Sequence, residues 1–435
     1  MWYYIKNEQT QGPISFEQLV NLINAGLITK TTCVWESGKI RQLAGQTEQL
    51  AEFFDDDEPE PSALPEFAPK PTNTKKSAPK KDDAGVMNTV LESTGLKHLD
   101  GFSLSDLFSE TFKRHTDDEM ERYFGVGTPL TTPPISQVNA SWPKPWLFLR
   151  LIILGVVGYW LMARMSLGNT KAFPGMIIFG SFVIPLATLT FFFECNVVKN
   201  ISLYQVIKLF LYGGAVGFIF TTVLNNKLPN FYKIFESASP AGPIEEPAKL
   251  LVLILVLIMG GLKRKDYILN GLLCGAAVGA GFAAFESAGY AFDEILEAIF
   301  EGSRMNFTGT DFLNYMTTKS ASNIHLRAVL APFGHVIWTA MCAGALWRVK
   351  KSKDFAISML FNPMFLIVFA IAVTLHMTWN SKTFVDSFGD YGHYALGIIG
   401  WTIIFGMIGL GLRQVRQQQK YIATKEAQRK QAKPQ

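Results

Sequence analysis

Charge is scarce in this chain of 435 residues: Asp, Glu, Lys and Arg make up 17%, against about 25% in an average soluble protein. Cysteine is scarcer still. The four present (Cys33, Cys195, Cys274 and Cys342) lie far apart, without paired or metal-ligand spacing, which excludes a disulfide-stapled scaffold. The start, Met1-Trp2-Tyr3-Tyr4-Ile5-Lys6, has no positively charged stretch leading into an apolar one and does not read as a signal peptide. No basic patch stands out either. Lys and Arg punctuate apolar runs, so nucleic acid is not an expected partner. The charges are also unevenly shared. Residues 1–145 hold 14 Lys/Arg and 21 Asp/Glu, whereas 146–435 hold 26 and 15 together with most of the apolar runs. Long apolar runs need lipid as their solvent, which excludes a single water-soluble globule, a collagenous chain and a wholly disordered one.

The patterning divides the chain into five regions. Residues 1–54 read as a small soluble α+β module: a strand over Trp2 to Ile5, a turn at Gly12-Pro13, and a helix capped by Ser15 that ends at Gly26. A second strand follows from Thr31 to Trp35. Residues 55–101 are acidic, then rich in Pro, Lys and Ser, and read as a disordered linker. In 102–145 an amphipathic helix is expected over 102–124, with Leu104, Leu107, Phe108 and Phe112 on one face. An extended approach to the membrane follows, with Trp142 and Trp146 suited to its interface. Residues 146–412 hold about eight apolar segments (146–164, 174–194, 203–224, 244–262, 267–291, 329–348, 361–380 and 394–412), each near the ~20 residues that a bilayer core requires. A basic tail, 413–435, completes the chain. The fold class is mainly α, a polytopic helical membrane protein behind a small soluble domain.

Loop charge sets the expected orientation. With the N-terminus in the cytoplasm, the inner connections hold Lys199, Lys263 to Lys265, Arg348 to Lys353 and the tail. The largest outer one, 292–328, holds Asp293, Glu294, Glu297, Glu301 and Asp311. The positive-inside rule therefore selects both termini in the cytoplasm.

Four of the segments carry polar groups that are costly inside a membrane. Segment four opens with Glu245-Glu246-Pro247-Ala248-Lys249. Segment five holds Phe282-Ala283-Ala284-Phe285-Glu286. Segment six has His335 with Thr339 one turn on, and segment seven ends His376-Met377-Thr378-Trp379-Asn380. Each has a plainer reading. Two acids before a proline suit a helix N-terminus, and a lone His or a His376/Asn380 pair suits helix packing. Counting ~1.5 Å per residue, however, puts Glu286 ~28 Å above the inner surface, His335 ~9 Å and His376 ~8 Å below the outer one. With Glu245 and Glu246 at the outer rim, four helices of alternating direction bring these groups to one layer.

Such a set is hydrolytic chemistry. A carboxylate, Glu245 or Glu246, can take a proton from water, and His with Asn380 can donate to a developing oxyanion. Lys249 lies four residues after Glu245, a spacing that allows an ion pair holding Glu245 ionised, which favours Glu246 as the base. Glu246, Glu286, His335 and His376 are the candidate ligands for one zinc ion, the candidate cofactor. No Gly-X-Ser-X-Gly, Ser/Lys pair, Gly-Asp or His-Glu-X-X-His motif lies in the segments. Two rivals come from other classes. A proton- or ion-coupled transporter or channel would use the same cluster but spread such groups through the membrane depth. A receptor or scaffold would recruit a partner through the N-terminal module.

At Trp2-Tyr3-Tyr4, Gly12-Pro13 and Val34-Trp35 the module resembles the bacterial GYF-like domain of the second subtype, without the Gly-Tyr-Phe tripeptide of the founding family. The fold is what this resemblance implies, and a protein ligand of the module is the partner expected with it. Glu245-Glu246-Pro247-Ala248-Lys249, Phe282 to Glu286, His335 to Thr339 and His376 to Asn380, in that order on successive segments, resemble the motifs of the PrsW family of intramembrane proteases across about residues 150–411. That family is similar to the CAAX prenyl protease group, which has His where this chain has Glu286. The resemblance implies peptide-bond hydrolysis in or near the bilayer, described as metal-dependent. The catalytic set would be Glu245, Glu246, Glu286, His335, His376 and Asn380, supported by Lys249, Phe282 and Thr339. The expected substrate is a membrane-anchored protein cut near the outer leaflet of a bacterial inner membrane.

Overall fold

The computed structural model describes residues 2–6, 9–24, 28–29, 32–36, 42–47, 49–50, 83–99, 101–113, 116–128, 131–167, 169–228, 240–260, 262, 265–305, 307 and 309–432. The chain divides into two units, Met1–Glu66 with Gly127–Thr132, and Phe67–Val126 with Pro133–Gln435.

The first unit is built on an antiparallel sheet in the order β2-β1-β3-β4, from β1 (Trp2–Lys6), β2 (Gln9–Ile14), β3 (Cys33–Glu36) and β4 (Gln42–Leu43). Helix α1 (Phe16–Asn24) is capped as its sequence requires: Gln18 N donates to Ser15 Oγ, and Ser15 N donates to Gln18 Oε1. Trp2, Leu19, Ile23, Ile28, Val34, Ala44 and Leu50 form its core. Gly12-Pro13 lies inside β2 rather than at a turn. The pairing of β1 with β2 slips between Trp2 and Tyr4, and Gly12, with φ +123°, takes the slip. The expected ends at Gly26 and Thr31 lie outside the described residues.

The second unit is helical. It contains α2 (Asp83–Thr94), α3 (Leu104–Leu107), α4 (Asp117–Phe124), α5 (Leu147–Ser166), α6 (Phe173–Cys195), α7 (Leu203–Lys227), α8 (Ala241–Ile258), α9 (Ile268–Arg304), α10 (Gly309–Leu330), α11 (His335–Lys350), α12 (Pro363–Trp379) and α13 (Lys382–Ala432), which bends at Gly389. All eight apolar segments become helices. Among the described residues, six stretches are long and apolar enough to cross a membrane, with α10 and α11 forming one of them. The other two apolar segments are α8, which carries three charges, and α12, of 17 residues.

Three expectations give way here. The linker assigned to 55–101 contains a helix, α2; its residues 55–82 lie outside the described residues. The single amphipathic helix over 102–124 is instead α3 and α4. Thr116 and Glu119 form a capping box that starts a new helix, and of the expected apolar face only Leu107 is buried, while Phe112 stays exposed. The connection 292–328, expected as an outer loop, is a helical hairpin made by the end of α9 and by α10. Glu301 accepts from Tyr315 Oη and Lys319 Nζ, both at 2.5 Å, and Asn323 Nδ2 donates to Glu294 at 3.0 Å. Helix α9, at 37 residues, is about 55 Å long, well beyond a ~30 Å bilayer core.

One contact sets the geometry of the centre. Gly271, Gly275 and Gly279 form a ridge on α9, and the backbone carbonyls of Ala343, Thr339 and His335 of α11 lie where side chains would be. Small residues at four-residue steps let two helices meet backbone to backbone. His335 is thereby held beside the middle of α9.

Candidate active site

Each polar residue is delivered by a local break in the apolar pattern. Helix α8 starts at Ala241, so Pro247 lies in its second turn rather than at its first position, and Glu245 and Glu246 sit inside the helix. Pro332 and Gly334 separate α10 from α11, which makes His335 the first residue of α11. His376 is in the last turn of α12, and Asn380 caps that end through its N–H to the His376 carbonyl. Glu286, Ser287 and Tyr290 share a face of α9, opposite Arg327 of α10.

The side chains form one continuous chain of contacts. Arg327 Nη2 donates to Glu286 Oε2 at 2.6 Å, and its Nε donates to Ser287 Oγ at 3.0 Å. Glu286 Oε2 lies 3.0 Å from His335 Nε2, and His335 Nδ1 lies 2.9 Å from Lys249 Nζ. Lys249 Nζ also donates to Glu246 Oε1 at 2.6 Å, and that oxygen is 2.9 Å from His376 Nδ1. An ammonium has only donors, so His335 accepts at Nδ1 and carries its proton on Nε2, toward Glu286. A carboxylate has only acceptors, so His376 carries its proton on Nδ1 and presents a lone pair at Nε2.

That lone pair faces Glu245 Oε2 across 3.8 Å, and Glu245 Oε2 is buried without a hydrogen-bond partner. Two acceptors facing each other at that distance need a proton donor or a cation between them. Both open on a cavity of about 510 Å³, whose wall also includes Glu286, Arg327, His335, Trp338, Asn380 and His393. Aromatic rings hold the imidazoles in place. Trp338 stacks on His376 at 4.5 Å, Phe282 lies 5.2 Å from the His335 ring, and Lys249 sits over Phe282 at 4.6 Å.

The residues singled out in the sequence thus converge, with two corrections. Lys249 pairs closely with Glu246, not with Glu245, from which it is 3.9 Å away. Its long side chain reaches either acid, and His376 on the same Glu246 oxygen decides the outcome. Glu246 Oε1 is tied down by Lys249 and His376, and Glu245 keeps a free oxygen at the cavity, the opposite of what the four-residue spacing suggests. The metal-ligand set changes in the same way. Glu245, His335 and His376 offer ligand atoms within 4.8 Å of one another, while Glu246 and Glu286 are held in ion pairs. The orphaned Glu245 oxygen and the His376 Nε2 lone pair are donors that suit a divalent cation such as zinc, and His335 Nδ1 would join them once it gives up its hydrogen bond from Lys249. Thr339 is buried behind the cavity wall, its Oγ1 without a hydrogen-bond partner.

Sequence reasoning missed Arg327, Trp338 and His393. Arg327 lies in the polar stretch before segment six and reads as a flank. His393 follows the bend at Gly389 and sits 4.4 Å from the Trp379 ring, its Nε2 3.1 Å from the Trp379 carbonyl.

Acid and imidazole groups buried among apolar helices and opening on one cavity are the equipment of a hydrolase working inside a membrane. Residues 202–410 match the family model of the PrsW family intramembrane metalloprotease, and residues 2–40 match that of GYF domain 2. The first match contains every residue of the cluster, and the second covers the small module at the start of the chain. No curated protein and no solved structure matches the chain.

Proposed function

We propose that the protein hydrolyses a peptide bond of a membrane-anchored protein near the outer leaflet of a bacterial inner membrane, with both of its termini in the cytoplasm. The observation that carries the proposal is the unpartnered Glu245 oxygen facing the His376 lone pair at the cavity. Glu245 takes a proton from water held between the two. Glu246, gripped by Lys249 and His376, keeps that imidazole in the tautomer that presents Nε2. Glu286, with Arg327 behind it, holds His335 in the opposite tautomer, with the proton on Nε2. Asn380 on the cavity wall stabilises the negative charge that develops on the carbonyl oxygen. When bound, a zinc ion held by Glu245, His335 and His376 would polarise the carbonyl and acidify the attacking water. Steric room for one peptide segment comes from the cavity, and low water content from the apolar helices around it.

The test uses the full chain in lipid vesicles with a single-span reporter protein. Glu245→Gln is expected to lower cleavage by about 10²–10⁴-fold, the usual worth of a general base, and to lower it more than Glu246→Gln does. Cleavage by Glu245→Gln at the parent rate would reject the assignment. Activity that disappears with a chelator and returns with zinc would support the metal-assisted form.

A further inference from the structure

A second cavity, of about 440 Å³, lies just past the last apolar run of α13 and is lined by His98, Arg413, Arg416, Gln417 and Lys420. The four α13 residues recur at three- and four-residue steps and so share one helix face. His98 arrives from a separate piece of chain. The turn after α2 seats on α13 at Gly406 and Gly409, where the backbone of Gly95 and of His98 fills the space side chains would need. The wall is fixed by further contacts. Arg416 Nη1 donates to the Ala140 carbonyl at 2.8 Å, and Gln419 Nε2 donates to the Ile135 and Val138 carbonyls at 2.8 and 2.7 Å. Two strands of chain and one helix therefore build this cleft.

Its charge is one-sided. Arg413, Arg416 and Lys420 are exposed, and the lining contains no acid. Arg413 Nη1 stands 3.1 Å from His98 Nδ1, a contact in which the imidazole is the acceptor. Leu412, the residue before Arg413, is fully buried and closes the apolar run. The cations therefore stand where the helix leaves the hydrocarbon. Guanidinium forks match the oxygens of a phosphate, and cations beside a span attract anionic headgroups.

We propose that this cleft binds the phosphate of an anionic phospholipid from the leaflet at the C-terminal end of α13. The full chain would be placed in nanodiscs of phosphatidylcholine with a minor fraction of phosphatidylglycerol, and the lipid retained on release would be read by native mass spectrometry. The parent is expected to retain phosphatidylglycerol over phosphatidylcholine by several-fold. Arg413→Gln with Arg416→Gln and Lys420→Gln should abolish that preference, whereas Lys351→Gln with Lys353→Gln should leave it intact. Equal retention by the triple variant and the parent would overturn the proposal. Should the triple variant fail to fold, the single exposed change Lys420→Glu serves, with a reduced preference expected and an unchanged one overturning. Inorganic phosphate that raises the melting midpoint in neutral detergent while phosphatidylglycerol does not would assign the cleft to a soluble anion and overturn the lipid.

Discussion

Glu194 and Glu245 are both buried glutamates near the ends of apolar helices, and their oxygens meet opposite fates. At Glu194, Oε1 accepts from the N–H groups of Trp146 and Leu147 at 2.8 and 3.0 Å, and Oε2 accepts from Phe148 N–H at 3.0 Å. The carboxylate thereby satisfies the free donors at the start of α5, where the helix dipole also favours a negative charge. Tyr123 stands beside it, and burial together with the Glu194 charge pushes its phenol well up, so it remains a donor. Glu245 has no such partners, and one oxygen of Glu246 is likewise orphaned. Burial of an acid therefore says little about function until its hydrogen bonds are counted. A satisfied carboxylate belongs to the fold, while an orphaned one beside a cavity belongs to the chemistry.

The largest effect that would sharpen this contrast is expected at Lys249. Its side chain is fully buried between Glu246 and His335, and Lys249→Met strands a buried carboxylate. Breaking such a pair from one side costs about 3–5 kcal/mol, to be read as a lowered denaturant midpoint of the detergent-solubilised protein. Glu194→Gln comes next. It weakens hydrogen bonds to a charged group worth about 1.5–3 kcal/mol, so the midpoint should fall while cleavage per folded molecule persists. Glu245→Gln should do the reverse, leaving the midpoint near the parent's. If both variants lose stability and neither loses activity selectively, the contrast between the two glutamates fails. Arg327→Met, at a residue that is only partly buried, should cost about 1–2 kcal/mol and raise KM more than it changes the midpoint. Smallest of all is Lys319→Ala in the exposed hairpin, for which no measurable shift is expected, because surface ion pairs contribute little.

Much of this was legible in the sequence because a membrane helix announces itself by composition. The eight apolar runs and the four polar interruptions that meet at the site need only length and depth to be found. What was hidden depends on side chains from different helices. Nothing in Glu-Glu-Pro-Ala-Lys says which acid Lys249 takes, since His376 makes that choice from 130 positions away. The Gly271, Gly275 and Gly279 ridge went unread because glycine in an apolar run carries no polar signal. Arg327 and His393 were overlooked because they lie just outside the runs, where charge is ordinary. The split of 102–124 into two helices turned on a capping box that the apolar spacing masked.

The glycine ridge has a consequence for tolerance to error. The distance between the imidazole of His335 and the acid of α9 is gauged by missing atoms, as a ruler is cut rather than built up. A methyl group at Gly275 or Gly279 would wedge apart two main chains that own no rotamer to turn aside, and the histidine would travel with its whole helix. Proteolytic competence is therefore most fragile at positions that could never touch a substrate.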